Sequence, residues 1–432
     1  MKTPEHFDLI IVGAGIGGIV CLKYAKDAGL NAIVLERASR VGGLWRDLPP
    51  WQDIQFRKED WTLGNLPIEG EDQRSVLHNI EAWVERFDLA SRIRLGVCVR
   101  AAGPCSGGWK VTTDAGELES RFLVCATGGH NRPVVPQLAR DESSIAEYHS
   151  SEFRDPKQLG DKAITVVGGG ASAYDLLDLC FRNGARSVAW IYRSTKWMRP
   201  TRQPKYFGTD MRALARLQML GVSVDTINRR INRDLRERYR RAAIAQIQPD
   251  QDFDLRRDQL IPGRREMIRN FARIARHRGE VRALHGSSVE VTDGASLPTD
   301  ILLWATGYAT DLSYLQVDAL ARETSLSRIR VRCACAFHSL DARGLFLLAP
   351  AVLETNTSTP WAYAHAAKSI MAHIRGRAAL DAPAQVDQQN HCELVRMLAR
   401  VDRANYPAFG FWRLKYLGVA LLRPRTLPLP IP

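Results

Sequence analysis

The stretch IIVGAGIGGIV at residues 10–20 decides how the chain is read. An apolar run, DLIIV at 8–12, leads into Gly13, Gly15 and Gly18; a helical stretch follows to Gly29, and a second apolar run, NAIVLE at 31–36, ends on Glu36. That is a complete strand–helix–strand unit. The glycines let the chain turn sharply and bring backbone N–H groups and a helix N-terminus against a pyrophosphate. An acid closing the second strand accepts hydrogen bonds from ribose hydroxyls. Glu36, with Arg37 beside it, completes the expected nucleotide site.

The same plan returns 155 positions later, from Gly13 to Gly168. AITVV at 163–167 runs into Gly168, Gly170 and Ser172, a helical stretch reaches Gly184, and SVAWIYR at 187–193 follows. The second strand now ends on Arg193 and Ser194, where the first has Glu36. A carboxylate would repel a 2′-phosphate, whereas a guanidinium grips it in a bidentate manner and stacks on adenine. The first unit therefore suits a dinucleotide with a free ribose and the second suits NADPH, unless Arg193 is simply a surface arginine at a strand end. The expected fold class is α/β, with two Rossmann-like dinucleotide-binding domains. The second, at 151–294, is inserted into a discontinuous first one built from 1–150 and 295–432.

With 432 residues, 45% hydrophobic and 25% charged, the chain is long enough for two or three compact units. The net charge of +13 comes from arginine-rich composition. It fits a nucleic-acid surface, an anionic ligand or merely a GC-rich genome. No finger, RNP or helix-turn-helix pattern accompanies it, and RRINRDLRERYRR at 229–241 interleaves acids as a solvated helix face does. Cofactor phosphates are thus the expected partner, not nucleic acid. The eight cysteines include no Cys-x-x-Cys, the dithiol that disulfide-reducing flavoproteins need, so buried thiols in a reduced compartment are expected. The first strand-like run starts at Asp8 and no apolar run near it could span a bilayer, which reads as an intracellular, cytoplasmic protein.

Three further stretches feed glycine-bearing turns: RVGGLW at 40–45, CATGGHNRPVVP at 125–136 and ILLWATGY at 301–308. Together with the two nucleotide turns, and in this order, they resemble the class B flavoprotein monooxygenases. That group comprises the flavin-containing N- and S-oxygenating enzymes, the indole-pyruvate oxygenases and the Baeyer–Villiger enzymes. The resemblance runs from Asp8 to about Arg375. It implies FAD at Gly13, Gly15, Gly18 and Glu36, with Gly43, Leu44 and Trp45 along the flavin. It implies a crossing between domains at Ala126, Thr127 and Gly128 and a return at Thr306 and Gly307. It places NADPH at Gly168, Gly170, Ser172, Arg193 and Ser194. His149 and Phe153 match the His-x-x-x-aromatic end of the family fingerprint, while Ser143 and Ile145 stand where it has Phe and Gly. His149 is expected to be structural. LIPGRREM at 260–267 loosely resembles the Baeyer–Villiger segment whose Lys-Arg pair touches the 2′-phosphate and the flavin. This would make Arg264 a cofactor ligand and Arg265 the catalytic residue; the alternative is a charged helix start.

No metal-ligand cluster, nucleophile elbow or dithiol is visible, so the chemistry falls to the cofactor. The resemblance implies NADPH reduction of FAD and oxygen delivery by a flavin peroxide adduct to a nitrogen or sulfur, or a hydroxylation, of a small metabolite. Baeyer–Villiger oxidation is the alternative, and a reductase passing electrons to a partner protein is the alternative of another class. A helical insertion at about 197–259 either caps the active site or pads its domain. The stretch FGFWRLKYLGVALLRPRTLPLPIP at 409–432 either lies on a membrane surface or packs on protein, and LETNTSTPW at 353–361 is a candidate specificity loop.

Overall fold

The structure is a computed structural model that describes residues 4–52, 63, 66, 68–199, 223–254, 258, 260–334, 337–348 and 359–376. Strand β1 (Glu5–Val12) starts exposed and ends fully buried, as its apolar second half requires. Helix α1 (Ile16–Asp27) follows and leads to β2 (Ala32–Glu36), which pairs in parallel with β1, Leu9 opposite Ala32 and Val12 opposite Leu35. After helix α2 (Gln73–Arg86), β3 (Ile93–Leu95) extends the sheet beyond β2. On its other side β1 pairs in parallel with β4 (Gly116–Cys125). Strand segments covered on both faces must be apolar, which is why Leu9–Val12 of β1 and Ala32–Leu35 of β2 read as unbroken aliphatic runs rather than alternating ones.

A second, five-stranded sheet lies between the two crossings. It comprises β5 (Ala146–His149), β6 (Ala163–Val167), β7 (Ser187–Tyr192), β8 (Ile274–Arg278) and β9 (Ile301–Trp304). The order is β8-β7-β6-β9-β5 and every pairing is parallel. This sheet takes β5 from before the boundary expected at 151 and β9 from after the one expected at 294. The cause is register: Ile301 to Trp304 slot between Val166-bearing β6 and β5, with Trp304 opposite both Val167 and His149. One face is covered by helix α3 (Ala171–Arg182), the other by a small sheet whose Leu284, Val289 and Val291 pack on Val167, Ile191, Leu302 and Trp304.

Of the insertion, residues 197–199, 223–254 and 258 are described, and helix α4 (Val224–Arg241) is the longest element among them. Its seam of Ile231, Leu235 and Tyr239, at four-residue spacing, is buried in the core of the second unit beside Trp197 and Met198. The Tyr239 hydroxyl accepts from the Met198 N–H at 2.9 Å, and the Tyr239 and Trp197 rings meet edge-on at 5.2 Å. Arg238, Arg240 and Arg241 pair along the helix with Asp234 and Glu237, and Arg236 pairs with Asp252 beyond it. This part pads the domain. MRALARLQML at 211–220 lies outside the described residues, as do 353–358 and the stretch at 409–432.

After the short helix α5 (Arg265–Arg269), the chain returns to the first sheet, where β10 (Leu345–Leu347) pairs in parallel with β4. Helix α6 (Thr359–Ile374) then packs on α1, with the Tyr363 ring against Gly17. Among the described residues Cys21, Cys125, Cys180 and Cys333 are buried, and burial pushes the Cys21 and Cys125 thiols up to about 12. Cys98 and Cys105 are half-buried, so the expectation of wholly buried thiols holds only for the first four. No described helix is long and apolar enough to cross a membrane, and no described cluster of His, Cys, Asp and Glu could hold a metal ion.

Candidate functional site

The first glycine turn is shaped by backbone crowding on one side and open space on the other. Gly13 has φ +104°, and a Cβ there would lie 2.7 Å from the Ala126 carbonyl oxygen. At Gly18 a Cβ would collide with the Gly13 carbonyl. These two glycines close the turn. Gly15 differs: its nearest neighbour would be only the Gly43 Cα, at 3.6 Å. Gly43 has φ +54° and faces Gly15 closely, a Cβ on it lying 2.8 Å from the Gly15 Cα. The Gly42 N–H donates to the Ala14 carbonyl at 3.0 Å, and the Trp45 carbonyl accepts from Gln73 Nε2 at 2.7 Å. RVGGLW is thereby held against the phosphate turn, with Trp45 partly buried and Leu44 left 41% exposed.

Glu36 is buried at the end of β2. Its Oε2 accepts from the Ala14 N–H at 2.6 Å and its Oε1 from the Ala38 N–H at 2.9 Å. The carboxylate thus braces the turn, and each oxygen keeps a lone pair for a ribose hydroxyl. Arg37 follows it, exposed.

In the second turn Gly168 has φ +132° and a Cβ there would lie 2.8 Å from the Ala305 carbonyl carbon. Gly169 is pressed flat on the next loop, a Cβ lying 2.9 Å from the Ser194 carbonyl carbon and closer still to its oxygen. A Cβ on Gly170 would meet nothing within 4 Å. Ser172 sits in the first turn of α3. The sequence pattern picked out Gly168 and Gly170 and passed over Gly169; the unbroken Gly-Gly-Gly was the signal, since three glycines exceed what the turn alone needs.

Helix capping separates these two helices from α2 and α4. Asp72 caps α2 by accepting from the Ser75 N–H, and Ser223 caps α4 by accepting from the Thr226 N–H. α1 and α3 begin instead at Gly15 and Gly170, with no side-chain cap. Their leading N–H groups are left for an anion, and the space at Gly15 and Gly170 is where a pyrophosphate fits. Both turns pass this test for a bound dinucleotide.

Between the units, the two crossings are knitted together. The Ala126 N–H donates to Val12 O at 2.9 Å, and Gly128 turns at φ +85°. On the return, Thr306 Oγ1 donates to Val134 O and Gly307 turns at φ +83°, its carbonyl accepting from the Val134 N–H at 3.1 Å. Thr310 Oγ1 donates to Gly129 O at 2.8 Å, and Asn131 and Asp311 exchange bonds of 3.1 and 2.8 Å. His149 is buried there. Its Nδ1 accepts from the Ser151 N–H at 3.3 Å, so its Nε2–H donates to Gly307 O at 3.1 Å, and burial lowers the ring's pKa. With Nδ1 held by Ser151, whose hydroxyl is 2.8 Å away, and Nε2 on the Gly307 carbonyl, His149 holds the return crossing in place.

One expectation changes. Arg264 is not available to a 2′-phosphate in this arrangement: its guanidinium is 6% exposed, with Nε on Asp175 Oδ1 and Nη1 donating to Pro262 O at 2.9 Å. Its Nη2 is buried as well. Arg265 has its side chain 82% exposed, with Glu266 Oε1 3.9 Å from its Nε. The reason lies on α3. Asp175 takes the Arg264 guanidinium, and Asp178 accepts the Glu266 and Met267 N–H groups at 2.7 and 3.1 Å, capping α5 from outside. Sequence reasoning missed this clasp because acids four and seven residues into a helix look like ordinary surface charge. At the end of β7, Arg193 is exposed with Nη1 3.2 Å from Glu280 Oε1, and Ser194 is exposed beside it.

Comparison with known proteins agrees with this arrangement. The chain is 27% identical over 172 residues to an uncharacterized oxidoreductase, CzcO, of Bacillus subtilis (strain 168), covering 38% of this chain and 49% of that one. It is 27% identical over 332 residues to the indole-3-pyruvate monooxygenase YUCCA1 of Oryza sativa subsp. japonica, covering 72% and 79%. The chain spans about half the length of the first curated relative, and most of the second. A closed crystal structure of cyclohexanone monooxygenase superposes with a TM-score of 0.67 at 16% identity over 98% of this chain and 99% of the other, a likeness of fold. Residues 10–251 match the family described as pyridine nucleotide-disulphide oxidoreductase, although the sequence carries no Cys-x-x-Cys. Matched over more than half its length, the chain belongs to the pyridine nucleotide-disulphide oxidoreductase family, with the fold of the class B flavoprotein monooxygenases.

Proposed function

We propose that this protein is an NADPH- and FAD-dependent monooxygenase that oxygenates a nitrogen or sulfur, or hydroxylates, a small organic metabolite. The observation that carries the reading is the pair of uncapped glycine turns with opposite chemistry at the second strand: buried Glu36 in one, exposed Arg193 in the other. FAD fits the first and NADPH the second. When bound, FAD supplies hydride acceptance and reaction with oxygen. The domains proposed are a discontinuous FAD unit and an inserted NADPH unit.

The side chains supply binding, orientation and shelter. The N–H groups opening α1 and α3 hold pyrophosphates, Glu36 accepts ribose hydroxyls, and Arg193 with Ser194 takes a 2′-phosphate. Exposed Leu44, on a turn fixed by Gly42, Gly43 and Gln73, offers an apolar surface to a flat ring system. The ribbon of Asn131, Thr306, Thr310 and Asp311 ties the two crossings to one another. Baeyer–Villiger oxidation is the alternative reading; it rests on Arg265, which is 82% exposed beside Glu266. The absence of a Cys-x-x-Cys counts against disulfide reduction.

The test is to supply the flavin-loaded protein with NADPH, ¹⁸O₂ and a panel of tertiary amines and thioethers. Label entering an N-oxide or sulfoxide is the expected result. NADPH oxidation with no label in any product, joined to rapid electron transfer to a protein acceptor, would assign it to the reductases instead.

A further inference from the structure

We infer that Glu280 sets the coenzyme discrimination of the second nucleotide turn, as the counter-charge a 2′-phosphate must displace and the acceptor a free 2′-hydroxyl would use. The inference rests on the reading of that turn as the NADPH site. In doubly wound sheets the ligand lies beyond the carboxyl ends of the strands, and β7 and β8 are neighbours whose carboxyl ends lie together. Arg193 follows β7 and Glu280 follows β8, with Arg193 Nη1 3.2 Å from Glu280 Oε1.

The acid is held there by backbone rather than by chance. The Gly279 N–H donates to Tyr192 O at 3.0 Å, the Glu280 N–H donates to Thr292 Oγ1 at 3.0 Å, and the Thr292 N–H donates to Glu280 O at 2.9 Å. Gly279 is required by the close approach of that hydroxyl, a Cβ reaching 3.8 Å from the Thr292 Cβ and nearer to its oxygen. The second arginine at this corner is also matched: Arg278 Nη2 pairs with Asp250 while its Nε donates to Arg193 O at 3.3 Å. Two guanidinium groups therefore face two carboxylates, so each arginine at this corner already holds a counter-charge. A phosphate dianion entering beside Arg193 meets Glu280 as a like charge and must take its place. A ribose 2′-hydroxyl meets the same carboxylate as a hydrogen-bond acceptor. One residue thus penalises NADPH and favours NADH, and lowers the discrimination that Arg193 alone would give.

The test compares the wild-type protein with Glu280→Gln, Arg193→Ala and Glu117→Gln, the last removing the acid of a remote exposed pair with Lys110 as a control for net charge. Binding of NADPH and NADH is titrated separately at low ionic strength, and anaerobic flavin reduction is followed with each. Glu280→Gln should bind NADPH about 2- to 5-fold more tightly, bind NADH no better or more weakly, and lose the NADPH gain at high salt. Glu117→Gln should change neither. The inference is overturned if Glu280→Gln leaves both nucleotides unchanged, tightens both alike, or weakens NADPH, while Arg193→Ala still weakens NADPH; the NADPH reading then stands without it. If Arg193→Ala also leaves NADPH unaffected, both readings fall.

Discussion

Replacing Gly169 by alanine tests whether the second turn is shaped as described. The added Cβ would sit 2.9 Å from the Ser194 carbonyl carbon and 3.3 Å from the Thr195 Cα. Comfortable carbon–carbon separations are about 3.5 to 4.0 Å, so either the glycine turn or the loop after β7 must move by at least about 0.6 Å. The obstacle is backbone, which cannot rotate aside as a side chain would. Overpacking of this kind costs about 1 to 3 kcal/mol. The shift also strains the bond from the Lys196 N–H to Gly169 O, now 3.1 Å, worth about 0.5 to 1.5 kcal/mol. A loss of about 2 to 4 kcal/mol corresponds to a fall in Tm of roughly 5 to 15 °C for a unit of this size. Gly170→Ala is the comparison: its Cβ meets nothing within 4 Å, so stability should hold while NADPH binding falls, because the methyl enters the space kept for the pyrophosphate. Thermal unfolding with and without NADP⁺ separates the two. An unchanged Tm in Gly169→Ala, or a Gly170→Ala protein that unfolds early yet binds NADP⁺ normally, would refute this account of the turn.

Gly15→Val should give protein with less than a tenth of the wild-type flavin, released on gentle denaturation and measured by absorbance, since a branched side chain fills the phosphate path beside Gly43. Arg264→Met should destabilise the fold by about 3 kcal/mol in denaturant unfolding, because the largely buried Asp175 loses its guanidinium, and adding Asp175→Asn should recover part of the loss. His149 gives a pH dependence. Burial is the main cause lowering its pKa below 6.5, so just below 6.5 the unfolded chain binds more protons than the folded one. The stability present above 6.5 should fall as pH drops through that value toward the folded pKa. In His149→Gln that segment of a Tm-against-pH curve should flatten.

The nucleotide turns were legible from sequence because their requirements are local. A strand must be apolar to be buried on both faces, a helix must start where a phosphate is to sit, and only glycine permits the backbone at Gly13 and Gly168 to turn at φ +104° and +132°. Glu36 and Arg193 could be set against each other for the same reason, each standing at the end of a second strand at fixed distance from its glycines. What the tertiary structure decided is which charges meet. Arg264 and Arg265 are adjacent in sequence, yet Asp175 and Asp178, 89 and 88 positions from their partners Arg264 and Glu266, bury one and turn the other to solvent. Glu280, 87 positions from Arg193, reaches it only because β7 and β8 are neighbours in the sheet. Backbone shape is written in short-range sterics that a few consecutive residues express. The electrostatic environment of a side chain is summed over groups brought together from distant parts of the chain, and only the folded arrangement of strands and helices fixes that sum.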